Sequence, residues 1–128
     1  MKNQDNRQVH LNLLTINLPL TALLSILHRI SGFGVFLSFL LTVWLLERSL
    51  FSEEEYIRLI NDLENLLVLK IFVSLILLGF IFHFFVGLKK MVSELFGIGE
   101  TLESARLFSL FTLIIFFLLG ALMLIYFW

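Results

Sequence analysis

Three long apolar stretches run along the chain, and polar or charged residues separate them. Each stretch reaches the roughly 20 residues that a helix needs to cross a bilayer. The first begins near Pro19, because proline is tolerated in the first turn of a helix, and a polar tail precedes it. The pattern predicts a single all-α integral membrane domain, residues 1–128, with transmembrane spans at about 19–46, 66–88 and 105–128.

The connection after the first span carries a helix-start signal. The first helix is expected to stop at Glu47-Arg48, and residues 52–55 then have the pattern of a capping box. In that pattern Ser52 is the N-cap and Glu55 reaches back to it. A short interfacial helix is therefore predicted before the second span, and its acidic first turn is interpreted as a solvated cap.

The connection after the second span is predicted to be a loop. The second span is expected to end at Lys89-Lys90, which leaves residues 91–104 as a polar segment. Thr101 and Ser104 are both candidates to cap the third helix, because a hydroxyl oxygen accepts from the free N–H groups of a first turn.

Lysine and arginine placement predicts the orientation, since cytoplasmic segments carry the excess of these residues. Six of the nine lie in the tail, at the inner end of the first span or around the second loop, and three lie around the first loop. The two groups are Lys2, Arg7, Arg29, Lys89, Lys90 and Arg106, against Arg48, Arg58 and Lys70. The N-terminus and the second loop are therefore predicted to be cytoplasmic.

Composition narrows the class of function. Hydrophobic residues make up 59% of the chain, against about 45–50% in soluble domains, which supports the membrane assignment. The absence of cysteine excludes a disulfide, a thiolate ligand or a cysteine-bound iron–sulfur cluster in this chain. A net charge of −1 argues against a nucleic-acid partner, and no cleavable signal peptide is expected. Three spans leave too little of the 128 residues for a soluble catalytic domain, so any enzymatic work would be shared with other subunits.

His83 lies deep inside the second apolar stretch, with Gly79 one helical turn before it and Gly87 one turn after it. At this spacing the three residues share one face of a helix. Two glycines would leave room for a flat ligand on the imidazole, and haem is such a ligand. The same pattern also suits close helix packing in lipid, with the histidine bonding across the interface, so both interpretations stay open.

The first span carries Ser25, His28 and Arg29. An arginine at this depth costs roughly 2.5–3.5 kcal/mol on insertion scales, which favours a functional role. Ser25 and Arg29 are four residues apart and point the same way, so together they can hydrogen-bond a carbonyl oxygen of a small apolar ligand such as a quinone. The alternative is that Arg29 extends to the headgroups while the other two bond neighbouring helices.

A haem on His83 would need a second axial ligand, from His28 or from another chain. His83 precedes Lys89 by six residues, or about 9 Å of helix, so it is expected to share a leaflet with His28 and Arg29. Because His28 is drawn toward the interface beside Arg29, another chain is favoured. The cations Arg29, His28 and Lys90 can pair with haem propionates.

Residues 25–32, SILHRISG, resemble the S-x-x-H-R-x-S/T-G signature of the cytochrome b membrane-anchor subunit of succinate dehydrogenase, succinate:quinone oxidoreductase or complex II. A second motif of that family, H-x-x-x-G-x-R-H with an acid four residues later, reads HFFVGLKK at residues 83–90, followed by Glu94. Lysines replace the Arg-His pair, Glu94 replaces the usual aspartate, and the family's N-terminal Arg-Pro is Arg7-Gln8. The resemblance covers nearly the whole chain.

The resemblance implies a subunit that passes electrons from succinate to quinone in the inner membrane of a bacterium. Its partners would be a second small anchor subunit, an iron–sulfur subunit and a flavoprotein subunit. It implies that His83 is an axial ligand of haem b, with the other ligand from the second anchor, and that Glu94 takes part in a proton path. Ser25, Ile26 and Arg29 would line the ubiquinone site.

Two other functions are compatible with these residues. A cofactor-free scaffold or small transporter subunit would use its intramembrane polar residues only to cement helix packing. A quinol:fumarate reductase anchor would run the same chemistry in reverse. Haem content distinguishes the scaffold or transporter subunit from the succinate dehydrogenase anchor. The direction of turnover distinguishes the quinol:fumarate reductase anchor from it.

Overall fold

The computed structural model describes residues 18–99 and 101–128, and within them the chain forms helices and no strand. The helices are α1 (Leu20–Phe51), α2 (Glu53–Asn65), α3 (Leu67–Phe96) and α4 (Leu102–Phe127). Helices α1, α3 and α4 are long and apolar enough to cross a membrane. The predicted all-α membrane fold with three transmembrane helices is confirmed in this part of the chain. The N-terminal tail, with Arg7-Gln8, lies outside the described residues.

Helix α1 begins where the sequence predicts and ends later. The Pro19 carbonyl accepts hydrogen bonds from the N–H groups of Ala22 and Leu23, at 2.9 and 3.1 Å. The expected stop at Glu47-Arg48 is wrong, because the helix continues to Phe51. The helix continues past Arg48 because this side chain is stabilised there. Its guanidinium lies over the ring of Trp44 and forms ion pairs with carboxylates of α2.

Helix α2 is the predicted short helix, and its acidic first turn does more than cap it. The Glu55 N–H donates to Ser52 Oγ at 3.2 Å, which confirms Ser52 as the N-cap. The Glu55 carboxylate bonds Arg48 at 3.2 Å and Arg58 at 2.9 Å instead of reaching back. Arg48 also bonds Asp62 at 2.9 Å, so these carboxylates fasten α2 to the end of α1.

The connection between α3 and α4 is shorter than predicted. Residues 91–104 were expected to be a loop, but α3 continues through Lys89-Lys90 to Phe96, since lysine is a good helix former. Gly97 ends it with a left-handed φ of 66°. The Ser104 N–H then donates to Thr101 Oγ1 at 3.2 Å, so Thr101 caps α4.

Helix α3 is central, packing against α1 on one side and α4 on the other. The small apolar core is formed by Leu24 of α1 with Phe82 and Val86 of α3. Phe116 of α4 meets Phe82 edge to face, with ring centroids 5.3 Å apart. The core therefore lies close to His83 and fixes how α1 and α3 face each other.

The outer surface of the bundle is mostly apolar. Phe36 and Leu40 of α1, for example, are 72% and 78% exposed. Three buried polar side chains donate hydrogen bonds to the helix carbonyls four residues earlier, so their hydroxyls are satisfied without water. They are Ser74, Ser109 and Thr112. Polar groups turned inward and apolar groups turned outward are what a lipid environment requires.

Candidate functional site

Two histidines meet face to face where α1 packs on α3. The rings of His28 and His83 are stacked, with centroids 4.1 Å apart and planes 5° apart. Both side chains are half-buried. The two imidazoles therefore lie at one level of the bundle, close to the core residues Phe82 and Val86.

Glycines allow the two helices to approach at this level. A Cβ at Gly32 would lie 2.8 Å from Cε1 of His83, and one at Gly87 would lie 3.1 Å from Nε2 of His28. In this arrangement Gly87 accommodates the imidazole of His28, which is the close helix packing that the sequence pattern also allows. At Gly79 a Cβ would meet nothing within 4 Å, so space remains on that side.

The hydrogen bonds of His83 indicate its tautomer. Its Nδ1 lies 3.2 Å from the backbone oxygen of His28 and 3.1 Å from Oγ of Ser31. A carbonyl oxygen only accepts, so Nδ1 carries the proton and donates it. The neutral ring then keeps its lone pair on Nε2, which is the atom that can bind a metal.

His28 is placed differently from His83. Its Nε2 is enclosed beside Gly87 and has no hydrogen-bond partner within residues 18–99 and 101–128. The ring of His28 lies flat against the ring of His83 and covers one face of that imidazole.

Ser25 and Arg29 line one cavity of about 310 Å³ between α1, α3 and the start of α4. Their four-residue spacing therefore places them together, as predicted. His28, Lys90 and Glu94 line the same cavity. Ile26, the third predicted quinone residue, is 38% exposed and is not part of this lining.

A second cavity, of about 440 Å³, adjoins the first along α3. His83 lines it, and His28, Lys90 and Glu94 line both cavities. Lys90 and Glu94 are exposed and their charged atoms lie 3.9 Å apart. The residues predicted for a metal, a quinone and a proton path are thus gathered at one end of the bundle, and among them Ile26 lines neither of the two cavities.

Lys89 turns away from these cavities toward α4. Its Nζ donates to Oγ of Ser109 at 2.7 Å, and Ser109 is fully buried. The lysine that replaces the motif arginine therefore links α3 to α4. The sequence assigns no individual role to Ser31 and Gly32 within the 25–32 signature, although they lie three and four residues after His28, a spacing that puts them on its helix face.

Fold and site define a helical membrane subunit with a histidine pair and a polar cavity at one end. A family model described as "Succinate dehydrogenase/Fumarate reductase transmembrane subunit" matches residues 3–123. The chain is also similar to the succinate dehydrogenase cytochrome b556 subunit of Coxiella burnetii (strain RSA 493 / Nine Mile phase I), with 36% identity over 101 residues, 79% of this chain and 80% of that protein. The chain belongs to the family of succinate dehydrogenase/fumarate reductase transmembrane subunits.

Proposed function

We propose that this chain is the cytochrome b anchor subunit of a succinate:quinone oxidoreductase. It binds haem b together with a second small anchor subunit and helps to form the site where ubiquinone is reduced. Family membership supports the assignment, and the similar Coxiella burnetii protein is named a cytochrome b556 subunit. The observation that carries it is the hydrogen bond from Nδ1 of His83 to the backbone of His28, because it leaves Nε2 free to bind iron.

Of the two histidines, only His83 is proposed as a haem ligand. His83 would hold the iron through Nε2, and a bound b-type haem supplies one-electron redox chemistry. A second ligand would come from the partner anchor, since the ring of His28 is stacked on His83. Arg29, His28 and Lys90, which line one cavity, would pair with the propionates.

Ser25 and Arg29 orient the quinone. Both can donate hydrogen bonds to one carbonyl oxygen, and the guanidinium stabilises the negative charge that grows on that oxygen during reduction. Reduction of a quinone to a quinol takes two electrons and two protons. The electrons come from succinate through the flavoprotein and iron–sulfur subunits. Glu94 lines the same cavity, which suits a role in proton delivery. Ile26 does not line that cavity, and its assignment to the quinone site rests on the family resemblance alone.

The proposed orientation places the N-terminus and the second loop on the cytoplasmic side of a bacterial inner membrane. The cavities that contain Arg29 and Lys90 then lie toward the cytoplasm, where the iron–sulfur subunit would dock. Cysteine-accessibility labelling of single-cysteine variants in the 97–99 loop tests this. Labelling of intact spheroplasts by an impermeant reagent contradicts it.

A reduced-minus-oxidised spectrum of the purified four-subunit complex tests the haem assignment. The wild-type complex is expected to show a low-spin b-type haem that is lost in His83→Ala, while the amount of assembled complex is measured on the same samples. A flat wild-type spectrum, or an unchanged spectrum in His83→Ala, contradicts the assignment.

Arg29→Ala tests the quinone site. Loss of a hydrogen bond to a charged group costs about 1.5–3 kcal/mol, so quinone reduction is expected to fall roughly ten- to a hundred-fold. Reduction of an artificial acceptor by the soluble subunits is expected to persist. Arg58→Ala is the control, because this arginine is exposed on α2 and bonds Glu55. Equal quinone reduction in the two variants excludes Arg29 from the site.

A cofactor-free scaffold or small transporter subunit is the second candidate. The close approach of His28 to Gly87 and of His83 to Gly32 favours it, because tight helix packing in lipid uses such contacts. It predicts a complex without haem, in which His83→Ala lowers only the yield. The family description also covers fumarate reductases, so a quinol:fumarate reductase anchor is the third candidate. Comparing succinate–quinone with quinol–fumarate turnover separates it from the first.

A further inference from the structure

Ser31 closes a cluster of three hydrogen-bonding atoms around His83. Its hydroxyl donates to the backbone oxygen of His28 at 2.8 Å. Because its single proton is used there, Oγ is left to accept, and Nδ1 of His83 lies 3.1 Å from it. The Nδ1–H of His83 is therefore shared between Ser31 Oγ and the His28 carbonyl oxygen, 3.2 Å away.

We propose that Ser31 is a positioning residue for the haem ligand. Its hydroxyl, together with the His28 carbonyl, supports the Nδ1–H tautomer of His83, fixes the direction of Nε2, and increases the electron donation from that nitrogen. The proposal rests on the proposed function, since it concerns the iron that His83 would bind. An acceptor on the far N–H orients a ligating imidazole and raises its basicity, and such a hydrogen bond is one of the ways a protein sets a haem potential.

The His28 carbonyl is a more widely shared acceptor than this hydroxyl. A helix carbonyl accepts a hydrogen bond from the backbone N–H four residues later. The His28 oxygen therefore has three donors, which are that N–H, the Ser31 hydroxyl and the His83 Nδ1–H. In Ser31→Ala the Nδ1–H of His83 keeps only one of its two acceptors, the His28 carbonyl. A less basic imidazole stabilises ferric iron less, so the midpoint potential of the haem is expected to shift in the positive direction. Haem affinity is expected to fall by up to roughly 10–100-fold, the usual effect of losing such a partner.

The chain offers a matched control in Ser38. It lies two helical turns after Ser31 on α1, lines the same apolar cavity of about 590 Å³, and donates its hydroxyl to the carbonyl of Val35 at 2.8 Å. Ser31 and Ser38 thus make the same bond to the residue three positions earlier, and they differ in the contact with His83. Ser31→Thr, which keeps a hydroxyl at the site, tests rescue.

The experiment is a redox titration of the haem absorption band in the purified four-subunit complex, with haem content measured per complex. The expected result is a positive shift or loss of haem in Ser31→Ala, with Ser38→Ala and Ser31→Thr at the wild-type values. If Ser31→Ala does not assemble, Ser31→Cys replaces it, because a thiol is similar in size and a weak hydrogen-bonding group.

The outcomes separate this inference from the proposed function. If the wild type holds haem that His83→Ala loses, but the Ser31 variants titrate like Ser38→Ala, the role of Ser31 is overturned and the proposed function stands. If the wild type holds no haem, or keeps it in His83→Ala, both are overturned.

Discussion

Gly32→Ala is expected to displace the imidazole of His83 without unfolding the bundle. The added Cβ would lie 2.8 Å from Cε1 of His83, whereas carbon atoms in contact prefer about 3.5–4.0 Å. The ring must therefore move by roughly 1 Å. It can do so because it is the end of a side chain, but the move disturbs its bonds to Ser31 and to the His28 carbonyl.

The size of this displacement predicts that haem binding is impaired more than assembly of the complex. Overpacking of this kind costs about 1–3 kcal/mol, which an assembled complex can absorb. A functional constellation, however, tolerates only about 0.5 Å of error. Haem binding in Gly32→Ala is therefore expected to weaken by roughly 10–100-fold, as for loss of a supporting contact, while most of the complex still assembles.

Gly34→Ala is the matched control for this variant. It lies two residues further along α1, and a Cβ there would meet nothing within 4 Å. Haem content per assembled complex, measured from the reduced-minus-oxidised spectrum, is expected to match the wild type in Gly34→Ala and to fall in Gly32→Ala. Equal haem content and equal midpoint potential in the two variants would refute the argument that Gly32 sets the position of His83.

Three further variants test the fold by their unfolding temperature in detergent. Arg48→Leu removes the ion pairs to Glu55 and Asp62 that hold α2 against α1, so it is expected to lower the unfolding temperature more than Arg58→Leu does; equal effects would contradict this. Gly97→Ala forces a side chain into the left-handed region at φ 66°, at a cost of about 1–2 kcal/mol, and a wild-type melting curve would contradict it. Lys89→Met loses the charged bond to Ser109, worth about 1.5–3 kcal/mol, so an unchanged unfolding temperature would show that bond to be negligible.

Helix starts could be predicted from the sequence because their signals are local. Pro19, Ser52 and Thr101 each precede a helix and act through the residues of the next turn. Helix ends were less predictable. Lys89-Lys90 resembles a boundary by charge, yet a lysine pair fits within a helix, and only the left-handed Gly97 ends it.

The histidine pair could be predicted only in part. Spacing places Ser25 and Arg29 on one face of α1, and the structure brings both to one cavity. The stacking of His28 on His83 depends on the rotation of α1 against α3. Both helices are apolar on nearly every face, so no periodic pattern shows which face of one meets the other.

The scarcity of buried apolar side chains has a consequence for mutational tolerance. Lipid covers apolar side chains as well as a protein interior does. Replacing an outward residue such as Phe36 with a smaller one therefore costs little stability. Enlarging a small residue at a helix crossing forfeits much more, since a Cβ at Gly120 would already lie 3.0 Å from Leu78. A deep mutational scan of this chain should therefore show the reverse of the pattern in water-soluble proteins, with bulky positions permissive and the smallest positions intolerant.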